Sequence, residues 1–79
     1  MTTVHTVTVY STPMCPYCHM AKAYLSGKHV AFDDVDVSRD RERAMEMISK
    51  SGQMGVPVVE IDGEIVVGFR PDVFDRLLS

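Results

Sequence analysis

Asp62-Gly63 stands between two β-rich runs, Val58-Val59-Glu60-Ile61 and Glu64-Ile65-Val66-Val67. Asp-Gly in that setting predicts a two-residue type I′ hairpin, because both turn residues must take positive φ. Ile61 then pairs with Glu64, and Val59 with Val66. Whatever the rest of the chain builds must accept two adjacent antiparallel strands near its C-terminal end.

The segments upstream alternate strand and helix. Val4 to Tyr10 alternates weakly as a first strand, and Ser11-Thr12-Pro13-Met14 reads as a turn. A first helix is expected from about Pro16 to Ser26, stopped at Gly27 as a C-terminal cap. Met20, Ala21, Tyr24 and Leu25 share one face of it and are assigned to core packing. Val30-Ala31-Phe32 and Val35-Asp36-Val37 frame a second strand. Ser38 then reads as an N-cap, with Asp40 and Glu42 in the first turn of a second helix that ends at about Ser51, before Gly52. Its apolar stripe is Ala44, Met47, Ile48 and Ser51, and Arg39, Arg41, Glu42, Arg43 and Glu46 read as a solvated face. Gly68 breaks the last strand. Pro71-Asp72 opens a final helix with Val73, Phe74, Leu77 and Leu78 as its stripe.

The order is β-α-β-α-β-β-α. Strands flanking a crossover helix run parallel with a right-handed connection. An α/β fold follows, with a four-stranded mixed sheet and helices packed on it. The strand order is left open. At 79 residues, residues 1–79 form one expected domain. A domain this small buries only about 60% of its unfolded surface.

The two cysteines sit at the strand-to-helix turn, in Cys15-Pro16-Tyr17-Cys18. Pro16 suits the first helical position. A Cys-x-x-Cys pair in that context reads as a redox motif. The first N–H groups of a helix have no intrahelical partner, so a thiolate at Cys15 can accept them. The helix dipole adds about 0.3–1 kcal/mol in the same direction. Cys18, one turn further in, is expected to be less exposed. Cys15 is therefore assigned as the attacking thiol and Cys18 as the resolving one.

Other uses of the pair fit less well. Zinc takes four ligands, no second Cys-x-x-Cys exists, and His5, His19 and His29 lack zinc-site spacing. Cys15 to His19 also spells the haem c attachment pattern, which is used outside the cytosol. The N-terminus lacks the basic region and apolar run of a signal peptide. No apolar run approaches the ~20 residues of a membrane span. A cytoplasmic location is the expectation, and two cysteines rather than four or more agree with it. A net charge of −3 does not fit a nucleic-acid surface, which would be basic.

Thr8-Val9-Tyr10-Ser11-Thr12-Pro13-Met14-Cys15-Pro16-Tyr17-Cys18, followed by Gly55-Val56-Pro57-Val58 and Gly68-Phe69, resembles glutaredoxin. The resemblance implies a thioredoxin fold and thiol–disulfide exchange. It implies that Pro57 is a cis-proline facing the cysteines. The Val56 backbone before it would then pair with an extended substrate, a small case of strand addition. Tyr17 would form one wall of the groove. The substrate-binding set implied in this way is Thr12, Tyr17, Val56, Pro57, Gly68 and Phe69.

The chain also departs from the family pattern. Many glutathione-using members carry lysine where this chain has Thr12, threonine where it has Gly55, and Gly-Gly followed by Asp-Asp where it has Gly68-Phe69-Arg70-Pro71-Asp72. The last segment resembles instead the NrdH-type redoxins, which supply electrons to ribonucleotide reductase and are reduced by thioredoxin reductase. Those carry Trp-Ser where this chain has Val66-Val67. The expected function is a dithiol disulfide reductase without metal or bound cofactor. Its external reductant would be glutathione, or thioredoxin reductase with NADPH. Its substrate would be a protein or small-molecule disulfide, with ribonucleotide reductase as one candidate protein, and the chain would act as a monomer without nucleic acid or membrane. The alternative is a metal- or iron–sulfur-binding module using Cys15.

Overall fold

The first three strands and two helices are laid down in the order that the hydrophobic pattern gives. The computed structural model describes residues 5–79. It runs β1 (Val7–Ser11), α1 (Pro16–Gly27), β2 (Asp33–Asp36), α2 (Arg41–Ser51), β3 (Val58–Ile61), β4 (Glu64–Val67) and α3 (Pro71–Leu78). The expected start of the first strand at Val4 lies outside the described residues.

The four strands form one sheet in the order β2-β1-β3-β4. β1 and β2 are parallel, as a crossover through α1 requires, while β3 is antiparallel to both β1 and β4. In the hairpin, Ile61 pairs with Glu64 and Val59 with Val66. Asp62 and Gly63 take φ of 50° and 88°, the two positive values of a type I′ turn. This is the thioredoxin-like fold, with a four-stranded mixed sheet flanked by three helices.

Strand alternation divides the core in two. Val7, Val9, Val59, Ile61 and Val66 meet Ala21 and Leu25 of α1 and Phe74 of α3. On the opposite face, Tyr10, Val35 and Val58 meet Met47 of α2. Because successive side chains in a strand point to opposite faces, Val58 and Val59 serve different cores. Tyr24, Phe69 and Phe74 form an aromatic cluster on the α1/α3 side, with ring centroids 6.0–6.2 Å apart.

Several local expectations are corrected. Gly27 is the last residue of α1 rather than its cap. Lys28 is the cap, and His29 takes the left-handed conformation with φ of 60°. The Val30 N–H then reaches the Leu25 carbonyl at 3.0 Å and the His29 N–H the Ser26 carbonyl at 3.0 Å. This is a Schellman ending, and it brings Val30 back onto the core beside Leu25. Met20 points outward and is exposed rather than packed.

Ser38 does not cap α2. Its hydroxyl and N–H both bond to Asp36 within the preceding turn, and Asp40 is the cap, accepting the Arg43 N–H at 3.1 Å. The second strand is shorter than its frame, four residues with Val35 buried. Two of the charges read as solvated are engaged. Glu46 accepts from the buried Tyr10 hydroxyl at 2.5 Å and from Arg43 at 3.1 Å.

Candidate active site

Cys15 occupies the N-cap of α1 with extended backbone, φ −99° and ψ 111°. Its sulfur does what a serine or aspartate oxygen does at other helix starts: it accepts the Cys18 N–H, here at 3.2 Å. Pro16 follows at the first helical position, where a missing N–H leaves nothing unsatisfied. The negative charge of a thiolate at this atom is met by a backbone donor and by the positive end of the helix. Cys15 is partly exposed and Cys18 is buried; both are free thiols.

The two sulfurs are chemically unequal. Burial pushes the Cys18 thiol up to about 11, reinforced by its hydrogen bond to the Cys15 sulfur. Cys18 therefore holds its proton at neutral pH.

Across the site, the Val56–Pro57 peptide bond is cis. The Val56 carbonyl oxygen lies 3.8 Å from Cys15 Sγ, within range of a thiol donor. Pro57 is fully buried, and its carbonyl accepts the Gly68 N–H at 2.8 Å. Gly68 makes that approach at φ 90°, a conformation that suits glycine. The cis-prolyl segment is thus tied to the end of β4.

The implied substrate-binding residues separate into two places. Val56 meets the Cys15 sulfur through its carbonyl, Pro57 follows it in the chain, and Tyr17, two residues after Cys15, is 61% exposed. Thr12 is there through its backbone, its carbonyl accepting the Cys15 N–H at 3.4 Å. Gly68 acts one step away, through Pro57. Phe69 is elsewhere: its partly buried ring packs edge-on against Tyr24 and Phe74 in the core cluster.

Other neighbours were not singled out from the sequence. Met14 and Met54 are 90% and 78% exposed, immediately before Cys15 and two residues before Val56. Their only sequence signal is that proximity. His19 Nε2 donates to the Pro13 carbonyl at 2.8 Å and braces the turn before the cysteines. Beside it, Ser11, Pro13, His19, Lys22, Asp34 and Asp36 line a cleft of about 260 Å³. Lys22 is held there by Asp34 at 3.2 Å. Among the described residues, no three His, Cys, Asp or Glu side chains gather as a metal site. No helix among them is long and apolar enough to cross a membrane.

Comparison with known proteins agrees with this geometry. The glutaredoxin family model matches residues 7–66. An uncharacterized glutaredoxin-like 8.6 kDa protein in the rubredoxin operon of Clostridium pasteurianum is 47% identical over 73 residues, covering 92% of this chain and 97% of that protein. Glutaredoxin 3 of Escherichia coli K12 is 40% identical over 62 residues, covering 78% of this chain and 75% of its own. The solved NrdH-redoxin of Escherichia coli superposes with a TM-score of 0.82 at 31% identity, covering 90% of this chain and 92% of that one. A cysteine pair so placed, in a fold and sequence so matched, makes this chain a dithiol thiol–disulfide oxidoreductase that belongs to the glutaredoxin family.

Proposed function

We propose that this protein reduces disulfides in protein substrates, with Cys15 attacking and Cys18 resolving, and that thioredoxin reductase with NADPH supplies its electrons. The observation that carries the reading is the Cys15 sulfur set between the Cys18 N–H at 3.2 Å and the Val56 carbonyl at 3.8 Å. It is reachable from solvent, and the backbone beside it can align an extended substrate.

The cycle starts from the dithiol. The Cys15 thiolate attacks one sulfur of the substrate disulfide; that bond breaks, and a Cys15–substrate disulfide forms. The departing substrate thiolate takes up a proton. Cys18 then gives up its proton and its sulfur attacks Cys15 Sγ. The mixed disulfide breaks, the Cys15–Cys18 bond forms, and the second substrate thiol leaves. Two electrons have passed to the substrate, and two from the external reductant restore the dithiol.

The surroundings of the sulfur favour a polypeptide over an anionic tripeptide. Neither residues 12–18 nor residues 53–57 carry a charged side chain. Instead Met14, Tyr17 and Met54 present exposed apolar surface there. Methionine adapts to varied partners because its side chain is unbranched and polarizable. Thr12 and Gly55 supply neither the cation nor the side-chain donor of glutathione-using relatives. The structural likeness to NrdH-redoxin, a glutaredoxin-like protein described as having a thioredoxin-like activity profile, points the same way. Ribonucleotide reductase is the substrate that this likeness suggests, and a monomer in the cytoplasm is the working form.

Paired assays on one protein disulfide, both with NADPH, test the reductant. One contains glutathione and glutathione reductase, the other thioredoxin reductase alone. Turnover in the second at least equal to the first is expected. Turnover only with glutathione overturns the reductant assignment.

A further inference from the structure

The loop leading to the cis-proline is held by a side chain that the exchange chemistry never touches. Gln53 Oε1 accepts the Gly55 N–H at 2.6 Å, and Gln53 Nε2 donates to the Gly55 carbonyl at 3.0 Å. The same Nε2 donates to Ser51 Oγ at 3.2 Å. Ser51 Oγ donates in turn to the Met47 carbonyl at 2.7 Å, in the last turn of α2. One amide thus grips both backbone groups of residue 55 and fastens them to a helix. The next residue, Val56, carries the carbonyl that lies 3.8 Å from Cys15 Sγ.

Gly55 completes the arrangement. Its φ lies outside the left-handed region, so its backbone does not itself call for glycine. A Cβ added there would meet Gln53 Oε1 at 2.8 Å, closer than real Cβ contacts come. The other atom near it, Gln53 Cδ at 3.9 Å, belongs to the same side chain. Any side chain at residue 55 therefore has to displace the Gln53 amide, and with it the bonds that hold the loop.

We infer that Gln53 and Gly55 are a coupled positioning pair, which sets the Val56 backbone at the height over Cys15 where an extended polypeptide disulfide can align. The inference rests on the reading above that substrate pairs with that backbone. Gln53 acts through Val56 and touches no reacting atom. Loosening the pair weakens alignment of a peptide. It leaves the helix-start environment of Cys15, built from the Cys18 N–H, as it was. A small disulfide without a peptide backbone has nothing to align and is indifferent to the loop.

The test uses the full chain, pre-reduced, in single-turnover reactions with a disulfide-bridged peptide and with bis(2-hydroxyethyl) disulfide. The proteins are wild type, Gln53→Ala, Gly55→Ala and the double variant. Each single change is expected to slow the peptide reaction about five-fold, the worth of a typical hydrogen bond. The double variant is expected to be no slower than either single one, because both remove the same clamp. Rates with bis(2-hydroxyethyl) disulfide and with iodoacetamide stay at the wild-type value. Should Gln53→Ala fail to fold, Gly55→Ala, which deletes no group, reads out the same displacement. Equal slowing toward both disulfides, or losses that multiply in the double variant, overturn the pairing. A wild-type protein inactive on both disulfides sinks the proposed function and this inference together. An active wild type with unaffected variants sinks this inference alone.

Discussion

The backbone N–H of Cys18 lies 3.2 Å from the sulfur of Cys15, while the Cys18 side chain itself is sealed from solvent. In the proposed cycle one residue thus serves the exchange twice, first as a donor and then as a nucleophile. Replacing each sulfur separates the two uses. Cys15→Ser is expected to reduce turnover to background. Cys18→Ser keeps the backbone donor and should accumulate a mixed disulfide with a protein substrate, seen by mass spectrometry under non-reducing conditions. Full activity in both variants would falsify the assignment.

Alkylation should be strongly selective. With the Cys18 thiol held up at about 11 by burial and by its bond to Cys15, iodoacetamide at neutral pH is expected to label Cys15 alone. Denaturant should expose the second site. The same shift bears on stability. The folded value lies above the ordinary 9.0, so the contribution is fully present below pH 9.0 and is lost as pH rises through about 11. Thermal melts should decline across that window, less so in Cys18→Ala after its own loss at neutral pH is subtracted.

Phe69 separates a packing role from a binding one. Its ring lies 6.0 Å from Tyr24 and 6.2 Å from Phe74. Phe69→Ala is expected to cost about 2 kcal/mol, roughly half the value for a fully buried phenylalanine. At a temperature where the variant stays folded, its KM for a protein disulfide should match wild type. A raised KM without loss of stability would assign the ring to substrate.

His29 pays a steric penalty that glycine would not. At φ 60° an ordinary side chain costs roughly 1–2 kcal/mol, part of which glycine returns through its freer unfolded chain. His29→Gly should therefore stabilise by about 0.5–1 kcal/mol, raising the midpoint by roughly 2–8 °C. The histidine side chain is exposed, so little packing is lost. A lowered midpoint would show that the side chain matters to the helix end.

Acid should loosen the molecule through a few carboxylates. Hydrogen bonding to His5, and then to the Thr6 N–H, holds Asp62 below the usual carboxylate range. Lys28 and then Tyr24 do the same for Asp75, and the Tyr10 hydroxyl for Glu46. Each folded value lies below its unfolded one, so their stabilisation is present at neutral pH and is lost as pH falls through the depressed values. Melting midpoints should drop below about pH 4. Asp62→Asn, whose amide oxygen can still accept the Thr6 N–H, should show a shallower drop.

Much of this was legible because it is local. Asp62-Gly63 carries its own turn geometry, and Cys-Pro-Tyr-Cys carries its own helix start, so hairpin, register and dithiol placement follow from adjacent residues. The misread positions depend on distant partners. The end of α1 is set by Val30 returning to Leu25, which forces positive φ on His29 although Gly27 stands nearby. Ser38 is drawn off by Asp36, leaving Asp40 to cap α2. Arg43 and Glu46 look solvated until Tyr10 is known to end beneath them. Gln53 gave no signal, since its partners are the Gly55 backbone and the Ser51 hydroxyl, which leave no pattern in the sequence.

The sheet order leaves β2 on an outer rim, and three of its four residues are Asp33, Asp34 and Asp36. A bare rim invites another chain to extend the sheet, and charged side chains along it, here aspartates paired with Arg43, Lys22 and Arg39, oppose that. If its substrates are extended polypeptides, as proposed, this edge discourages the protein from polymerising with its own copies, at the opposite side of β1 from the strand that follows Pro57.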